Sequence, residues 1–360
     1  MNIGNIGNIG IISTWFARGS GQIAKQIIQA INWHTDYSVA LLARMSFAGN
    51  SKQICFWGEY FHDNILLFPT YQIDDASFEQ WVKANKIDTV IFVEEQFTTN
   101  LVDISNRLGI KSINYIVWEN FNPSQLNYYK QFTYLVCPTK CTYDLLKNEY
   151  LLNNAVHVPW GIDLGTYTWQ EPVKKDKPVI FFPAGWGGVA DRKNEKAVID
   201  AFSYICPRDK AIMHIHTQQE GQKAQAQNII KTSSTVTSLE LINYYKESDL
   251  VVLPSRFEGN CLPQMESLAL GRPIIVTDCQ PLNERVVDGV NGYLIKVKEL
   301  KEVSGIFVKS AEVDVWDFAT KLILLENKDL LHNMQIASRK YAEAELNWFV
   351  NSKKLVDLLV

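Results

Sequence analysis

The sequence predicts two consecutive α/β domains, each built on a parallel sheet. Strand-length apolar runs alternate with amphipathic segments along most of the 360 residues, which is the pattern of βαβ units. The alternation breaks once, in the Gly-, Pro- and charge-rich stretch "WGIDLGTYTWQEPVKKDKP", and then restarts. The length suits one large core or two of ordinary domain size.

The elements follow in order. The repetitive opening "MNIGNIGNIG" is a low-complexity lead-in whose last copy runs into a first strand, about Ile9 to Thr14. It lacks the GxGxxG spacing and the preceding strand of a nucleotide loop. The helix "GQIAKQIIQAI" and the strand "YSVALLA" come next, then the strand "DTVIFVE", the helix "TNLVDISNRLG" and the strand "KSINYIVW". The strand "FTYLVCP", the helix "TKCTYDLLKNEYL" and the strand "AVHVP" complete the first series. After the break come strand "PVIFFPA", helix "NEKAVIDAFSYI", strand "AIMHIHT", helices "GQKAQAQNIIK" and "SLELINYYKES", strand "DLVVLPS", helix "QMESLALG" and strand "PIIVT". From about Val315 the tail reads helical to the end, with Trp348 in its last segment. The expected division is a first domain over 1–160, a linker over 161–177, a second domain over 178–340, and a C-terminal helix over 341–360 that packs back toward the first domain. Ligands of such sheets sit beyond the carboxyl ends of the strands, so an inter-domain cleft is the expected site.

Composition excludes several classes. Hydrophobic residues make up 47% and charged residues 21%, as in a globular chain rather than a disordered one. A formal net charge of −4 gives no general attraction to nucleic-acid phosphates or anionic lipid, so no nucleic-acid partner is expected. The N-terminus lacks the pattern of a secretory signal and the apolar runs are too short to span a bilayer, which points to a cytoplasmic protein. The cysteines of "CPTKC", Cys137 and Cys141, have no second pair at zinc-site spacing and read as structural thiols. His214 and His216 share one face of a strand without a third ligand, so packing or a cleft-rim contact is favoured over a metal. There is no GxSxG, HExxH, P-loop lysine or Asp-x-Asp motif.

Three constellations lie at strand ends. Gly19, Ser20 and Gly21 stand where the first strand enters a helix, and free N–H groups with the helix dipole favour an anion there. An ordinary turn with a Ser cap is the alternative. In the second domain, Gly185, Trp186, Gly187 and Gly188 precede Arg192 and Lys193. Two cations near a helix start are mildly unfavourable alone, and a diphosphate would explain them, which favours an anion site over a solvated basic pair. The third is "SRFEGNCLPQMESLALG". Glu258 in its loop can accept hydrogen bonds from ligand hydroxyls, and Gly259, Asn260, Cys261 and Leu262 offer backbone N–H groups. Glu266 can accept from a second pair of hydroxyls such as a ribose diol. In isolation, a loop acid and a dipole-stabilised helix acid account for both.

Taken together, these residues resemble the retaining glycosyltransferases of the GT-B fold, family 4. The span "DLVVLPSRFEGNCLPQMESLALGRPIIVTDCQPLNERVVDGVNGYLI" resembles that family's donor-binding signature, two glutamates with seven residues between (EX7E). "PWGID" resembles its inter-domain region and "RKN" its basic pair. The resemblance implies two Rossmann-like domains facing a central cleft. Glu258 would contact the donor sugar, Glu266 the ribose, and Arg192 and Lys193 the diphosphate, with Gly19 to Gly21 and Gly187 to Gly188 also at the donor. It implies transfer from a UDP- or GDP-linked sugar with retention, without metal or cofactor. The acceptor would be a glycan, glycolipid or small molecule in polysaccharide or glycoconjugate biosynthesis, with peripheral membrane association through the acceptor left open. Three features depart from the pattern. The usual Arg a few residues before the Lys has no clear counterpart, with Trp186 or Gly188 falling near it and Arg192 as its substitute. Asn260 and Cys261 bring side chains where the family places Gly-Phe-Gly, and the first domain offers Glu119 on the acceptor side where a His is usual, with Glu94 and Glu95 as rivals. A nucleotide-sugar epimerase and an inactive sugar-nucleotide-binding partner are the alternatives.

Overall fold

The structure, a computed structural model, describes residues 7–45, 58–96, 98–171, 175–187, 191–205, 211–219, 228–303 and 305–359. Gly188, one of the expected donor residues, lies outside the described residues, as do Cys55 and Cys206. Contacts divide the chain into two units, Met1–Trp160 with Trp348–Val360, and Gly161–Asn347.

The first unit runs β1 (Asn8–Thr14), α1 (Gly19–His34), β2 (Ser38–Arg44), β3 (Ile65–Phe68), α2 (Asp75–Ala84), β4 (Thr89–Val93), α3 (Leu101–Arg107), β5 (Lys111–Tyr115), α4 (Leu126–Tyr129), β6 (Tyr134–Cys137), α5 (Lys140–Asp144) and β7 (Ala155–His157). Its seven strands form one parallel sheet in the order β3-β2-β1-β4-β5-β6-β7. β1 and β4 are covered on both faces and buried almost throughout, as central parallel strands are. α1 buries Ile23, Ala24, Ile27, Ala30 and Ile31, the three-and-four spacing of one helix face. The strand order reverses between β1 and β4, which leaves a crevice at their carboxyl ends.

Two elements lie outside the expected series. β3 is short and partly exposed, so its apolar residues do not alternate cleanly. α2 starts where Asp74 accepts from the Ser77 backbone N–H, and it buries Phe78, Trp81 and Val82. That cap is a sequence-level start signal.

The chain re-enters the first unit at its end, through α11 (Trp348–Asn351) and α12 (Lys353–Val356). Trp348 is fully buried, lies 4.3 Å from Trp160 between ring centroids, and donates its indole N–H to the Gln26 carbonyl at 3.0 Å. Trp160 donates to the Gln26 side chain at 2.7 Å. Trp348→Ala is therefore expected to destabilise the protein by about 3–5 kcal/mol, the range for a buried large aromatic. Denaturant unfolding checks this, with Phe349→Ala, half exposed, costing less than half as much.

The second unit runs β8 (Val179–Gly185), α6 (Glu195–Ile205), β9 (Ile212–Thr217), β10 (Ile229–Ser233), α7 (Ser238–Glu247), β11 (Leu250–Leu253), α8 (Leu262–Ala269), β12 (Ile274–Thr277), β13 (Gly292–Ile295), the antiparallel hairpin β14 (Val297–Val303) and β15 (Ile306–Val313), α9 (Val315–Leu322) and α10 (Lys328–Glu345). The main sheet is parallel in the order β10-β9-β8-β11-β12-β13. Where a helix was expected over "GQKAQAQNIIK", its last residues instead form β10, which pairs Ile230 with His214 of β9. A β-branched run beside an open sheet edge wins over helical spacing there. Residues 161–177, expected as a linker, fall in the second unit. α10 also belongs to it: Gln335 donates to the Asp249 carbonyl and Ser338 to that of Asn291. Among the described residues, no helix is long and apolar enough to cross a membrane.

Candidate functional site

The second sheet places its chemistry by topology. β8 and β11 are sequence-distant neighbours on either side of the point where strand order reverses. The loops leaving their carboxyl ends therefore meet. One carries Arg192 and Lys193 and the other carries Glu258. After β8 the chain turns at Gly187, whose φ of +80° favours a residue without Cβ. The Gly187 carbonyl accepts from the Lys193 backbone N–H at 3.2 Å, which holds Lys193 beside the strand end. From the other side, the Arg256 backbone N–H donates to the Arg192 carbonyl at 2.8 Å.

The side chains converge. Lys193 Nζ donates to Glu258 Oε1 at 2.6 Å, and Arg192 Nη1 to Glu258 Oε2 at 3.1 Å. Glu258 and Lys193 are buried, while the Arg192 side chain stays 24% exposed. Burial pushes the Glu258 carboxyl up, but the charges of Arg192 and Lys193 and the Lys193 hydrogen bond outweigh it and hold the group at about 2. Glu258 is thus a permanent carboxylate. It can accept hydrogen bonds and hold cations, and it has no proton to give near neutral pH.

Beyond Glu258 the chain enters α8, whose start has no side-chain cap. Cys261 takes the left-handed conformation at φ 57° and turns its thiol inward, where burial pushes it up to about 12. Asn260 also faces inward: its backbone carbonyl and its Oδ1 each accept from Arg285 at 2.7 Å. The two side chains expected to crowd the donor are occupied within the fold, which leaves backbone as the surface the Gly259–Leu262 stretch can offer. Glu266 stands one turn into α8 and accepts from Tyr245 at 2.8 Å and from Tyr167 at 3.2 Å. Burial raises its carboxyl against the pull of these two hydroxyls.

Expected residues of the first unit lie at the carboxyl ends of its own strands. Gly19, Ser20 and Gly21 head α1. Ser20 does not cap the helix; its hydroxyl is hydrogen-bonded to that of Thr14. A Cβ on Gly21 would come within 2.3 Å of the Phe16 carbonyl oxygen, so this tight turn admits no side chain there. Glu119 sits half-buried in the 3-10 turn Trp118–Asn120 that follows β5. Its rival Glu95 is a core acid: it pairs with Arg44 at 2.7 Å, both side chains nearly inaccessible, and accepts from the Thr98 backbone. His214 and His216 share Thr232 Oγ1 as a partner and pack on Tyr244. Burial and the neighbouring His214 push His216 down to about 4. Among the described residues, no three His, Cys, Asp or Glu side chains are grouped to hold a metal.

Residues 166–340 match the family model described as Glycosyl transferases group 1. That match lies within the second unit. The chain is similar to the alpha-monoglucosyldiacylglycerol synthase of Streptococcus pneumoniae, 23% identical over 179 residues, which are 44% of this chain and 41% of that protein. It spans less than half the length of the curated relatives it matches. Among solved structures it is similar to the pneumococcal O-GlcNAc transferase GtfA in complex with UDP and GlcNAc, with a TM-score of 0.73 at 12% identity over 99% of both chains. It is also similar to HepE of Anabaena in complex with UDP, with a TM-score of 0.71 at 11% identity over 98% of this chain and 99% of that one. The fold is that of GT-B glycosyltransferases, two parallel-sheet Rossmann-like units.

Several residues that build this cluster carried no signal alone. Arg285 braces the Asn260 turn, and Tyr245 reaches Glu266 from α7. Arg256 binds Glu312 of β15 through Nε at 2.8 Å and Asp191 through Nη1 at 2.8 Å. It thereby ties the basic loop to the hairpin. A lone Arg or Tyr on a helix or loop does not announce such partners, because they are far away in sequence.

Proposed function

We propose that the protein is a retaining glycosyltransferase that moves a sugar from a nucleotide-diphosphate sugar to a glycan, glycolipid or small-molecule acceptor. The observation that carries this is the Arg192–Lys193–Glu258 cluster at the strand switch point of a Glycosyl transferases group 1 domain. In the reaction, the bond from the anomeric carbon to the diphosphate oxygen breaks and an acceptor oxygen bonds to that carbon. The acceptor proton passes to the departing diphosphate, and a nucleoside diphosphate leaves.

Negative charge builds on the leaving group as the bond stretches. Lys193 and Arg192 are fixed cations beside it, so they stabilise the transition state more than the ground state. They supply the charge that a divalent metal would otherwise bring, and the reaction is assigned as metal-independent. Glu258 holds both cations in place and accepts from donor hydroxyls; Glu266 accepts from the ribose. UDP-linked sugars are the first donors to test because similar structures hold UDP, and a diacylglycerol-lipid acceptor is suggested by the name of the Streptococcus pneumoniae relative.

The test is incubation of the protein with UDP-, GDP-, ADP- and CMP-sugars, following nucleotide release with and without acceptor extract. Acceptor-dependent release of one nucleoside diphosphate, with product of unchanged anomeric configuration, is expected. An epimerised sugar nucleotide, or binding without turnover, overturns the assignment.

A further inference from the structure

We infer that Tyr167 is a positioning residue for the ribose of the donor: its hydroxyl, with that of Tyr245, fixes the plane of the Glu266 carboxylate so that one free lone pair on each oxygen faces the diol. The inference rests on the nucleotide-sugar reading above. An ionised carboxylate has about four lone-pair sites. Tyr245 fills one on Oε2 at 2.8 Å and Tyr167 one on Oε1 at 3.2 Å. What remains is one acceptor site per oxygen, the number a vicinal diol needs.

The two tyrosines are held by unrelated parts of the unit. Tyr245 lies on α7, fully buried, edge-on to Phe181 at 5.0 Å. Tyr167 comes from the segment just past the first unit, in a turn organised by Asp163. The Asp163 side chain accepts from the Gly165 N–H at 2.9 Å and the Thr166 hydroxyl at 2.7 Å, and its carbonyl accepts from the Tyr167 N–H at 2.9 Å. Arg339 of α10 then binds the Tyr167 carbonyl at 2.9 Å and the Ala269 carbonyl at 2.7 Å. This clamps the turn to the C-terminal end of α8, the helix that carries Glu266. A buried carboxylate free to rotate would lose its aim at the diol, and preorganised acceptors are worth more than ones ordered on binding. Tyr167 is half-exposed, so its hydroxyl can be removed with little damage to the fold.

The test is calorimetric titration of the full chain with UDP, GDP and ADP, followed by the 2′-deoxy and 3′-deoxy forms of the tightest binder. Wild type is expected to prefer the ribose form. Tyr167→Phe is expected to reduce that preference about fivefold, the worth of one well-aimed hydrogen bond, with the deoxy forms binding within about twofold of wild type. Equal weakening of ribose and deoxy forms, or an unchanged preference, overturns the role of Tyr167. Glu266→Gln separates the two layers. If it leaves the preference intact, the ribose assignment of Glu266 itself fails, and if none of the three diphosphates binds, the proposed function fails.

Discussion

Replacing Lys193 by Ala is expected to lower turnover by about 10²–10³-fold, the range for deleting one fixed donor from a developing anion. It is also expected to weaken nucleoside-diphosphate binding about tenfold. Lys193 is nearly buried, lies 2.6 Å from Glu258, and is held by its own backbone bond to Gly187. Its charge therefore acts at short range and in low dielectric. The variant also strips one of two cations from a buried carboxylate. Breaking a buried pair costs about 3–5 kcal/mol, and the surviving Arg192 keeps the loss toward the lower end. Steady-state kinetics, titration with nucleoside diphosphate and denaturant unfolding check the three parts separately.

Glu258→Gln is expected to behave differently. The amide keeps the shape of the side chain and loses its charge, so the diphosphate no longer shares the two cations with a protein carboxylate. Turnover should fall about a hundredfold, because the sugar loses a charged acceptor in the transition state. Nucleoside-diphosphate affinity should stay within about threefold. The acid limb of stability should change too. The folded-state group sits at about 2, below an unfolded carboxyl near ~4.3. Its contribution is therefore present above the unfolded value and lost as pH falls through about 2. Wild type should lose stability relative to the Gln variant across that window, as read by acid titration of unfolding.

The α/β alternation was legible because buried parallel strands are short continuous apolar runs, as in β4 and β11. Arg192, Lys193 and Glu258 each stood out in a strand-end loop, but only the resemblance to a family signature joined them, and their direct pairing carried no signal in the sequence. The hairpin β14–β15 was not legible, because β14 is mostly charged and one side stays exposed. Its register depends on long-range ties such as that between Arg256 and Glu312. Asn260 and Cys261 were read as facing the donor since their loop does. The left-handed turn at Cys261 and the reach of Arg285 turn them inward instead. Tyr167 and Tyr245 stayed hidden for the same reason: only folding brings a turn, a helix and Glu266 together.

The central claim is that Arg192 and Lys193 are a diphosphate site, and the most direct measurement compares nucleoside diphosphate with nucleoside monophosphate of the same base. By calorimetry at fixed salt, wild type should bind the diphosphate at least about tenfold more tightly, the scale of one added charge-assisted contact. Lys193→Ala should erase most of that difference while leaving the monophosphate little changed. Equal affinity for the two nucleotides in wild type, or an undiminished preference in the variant, would contradict the account.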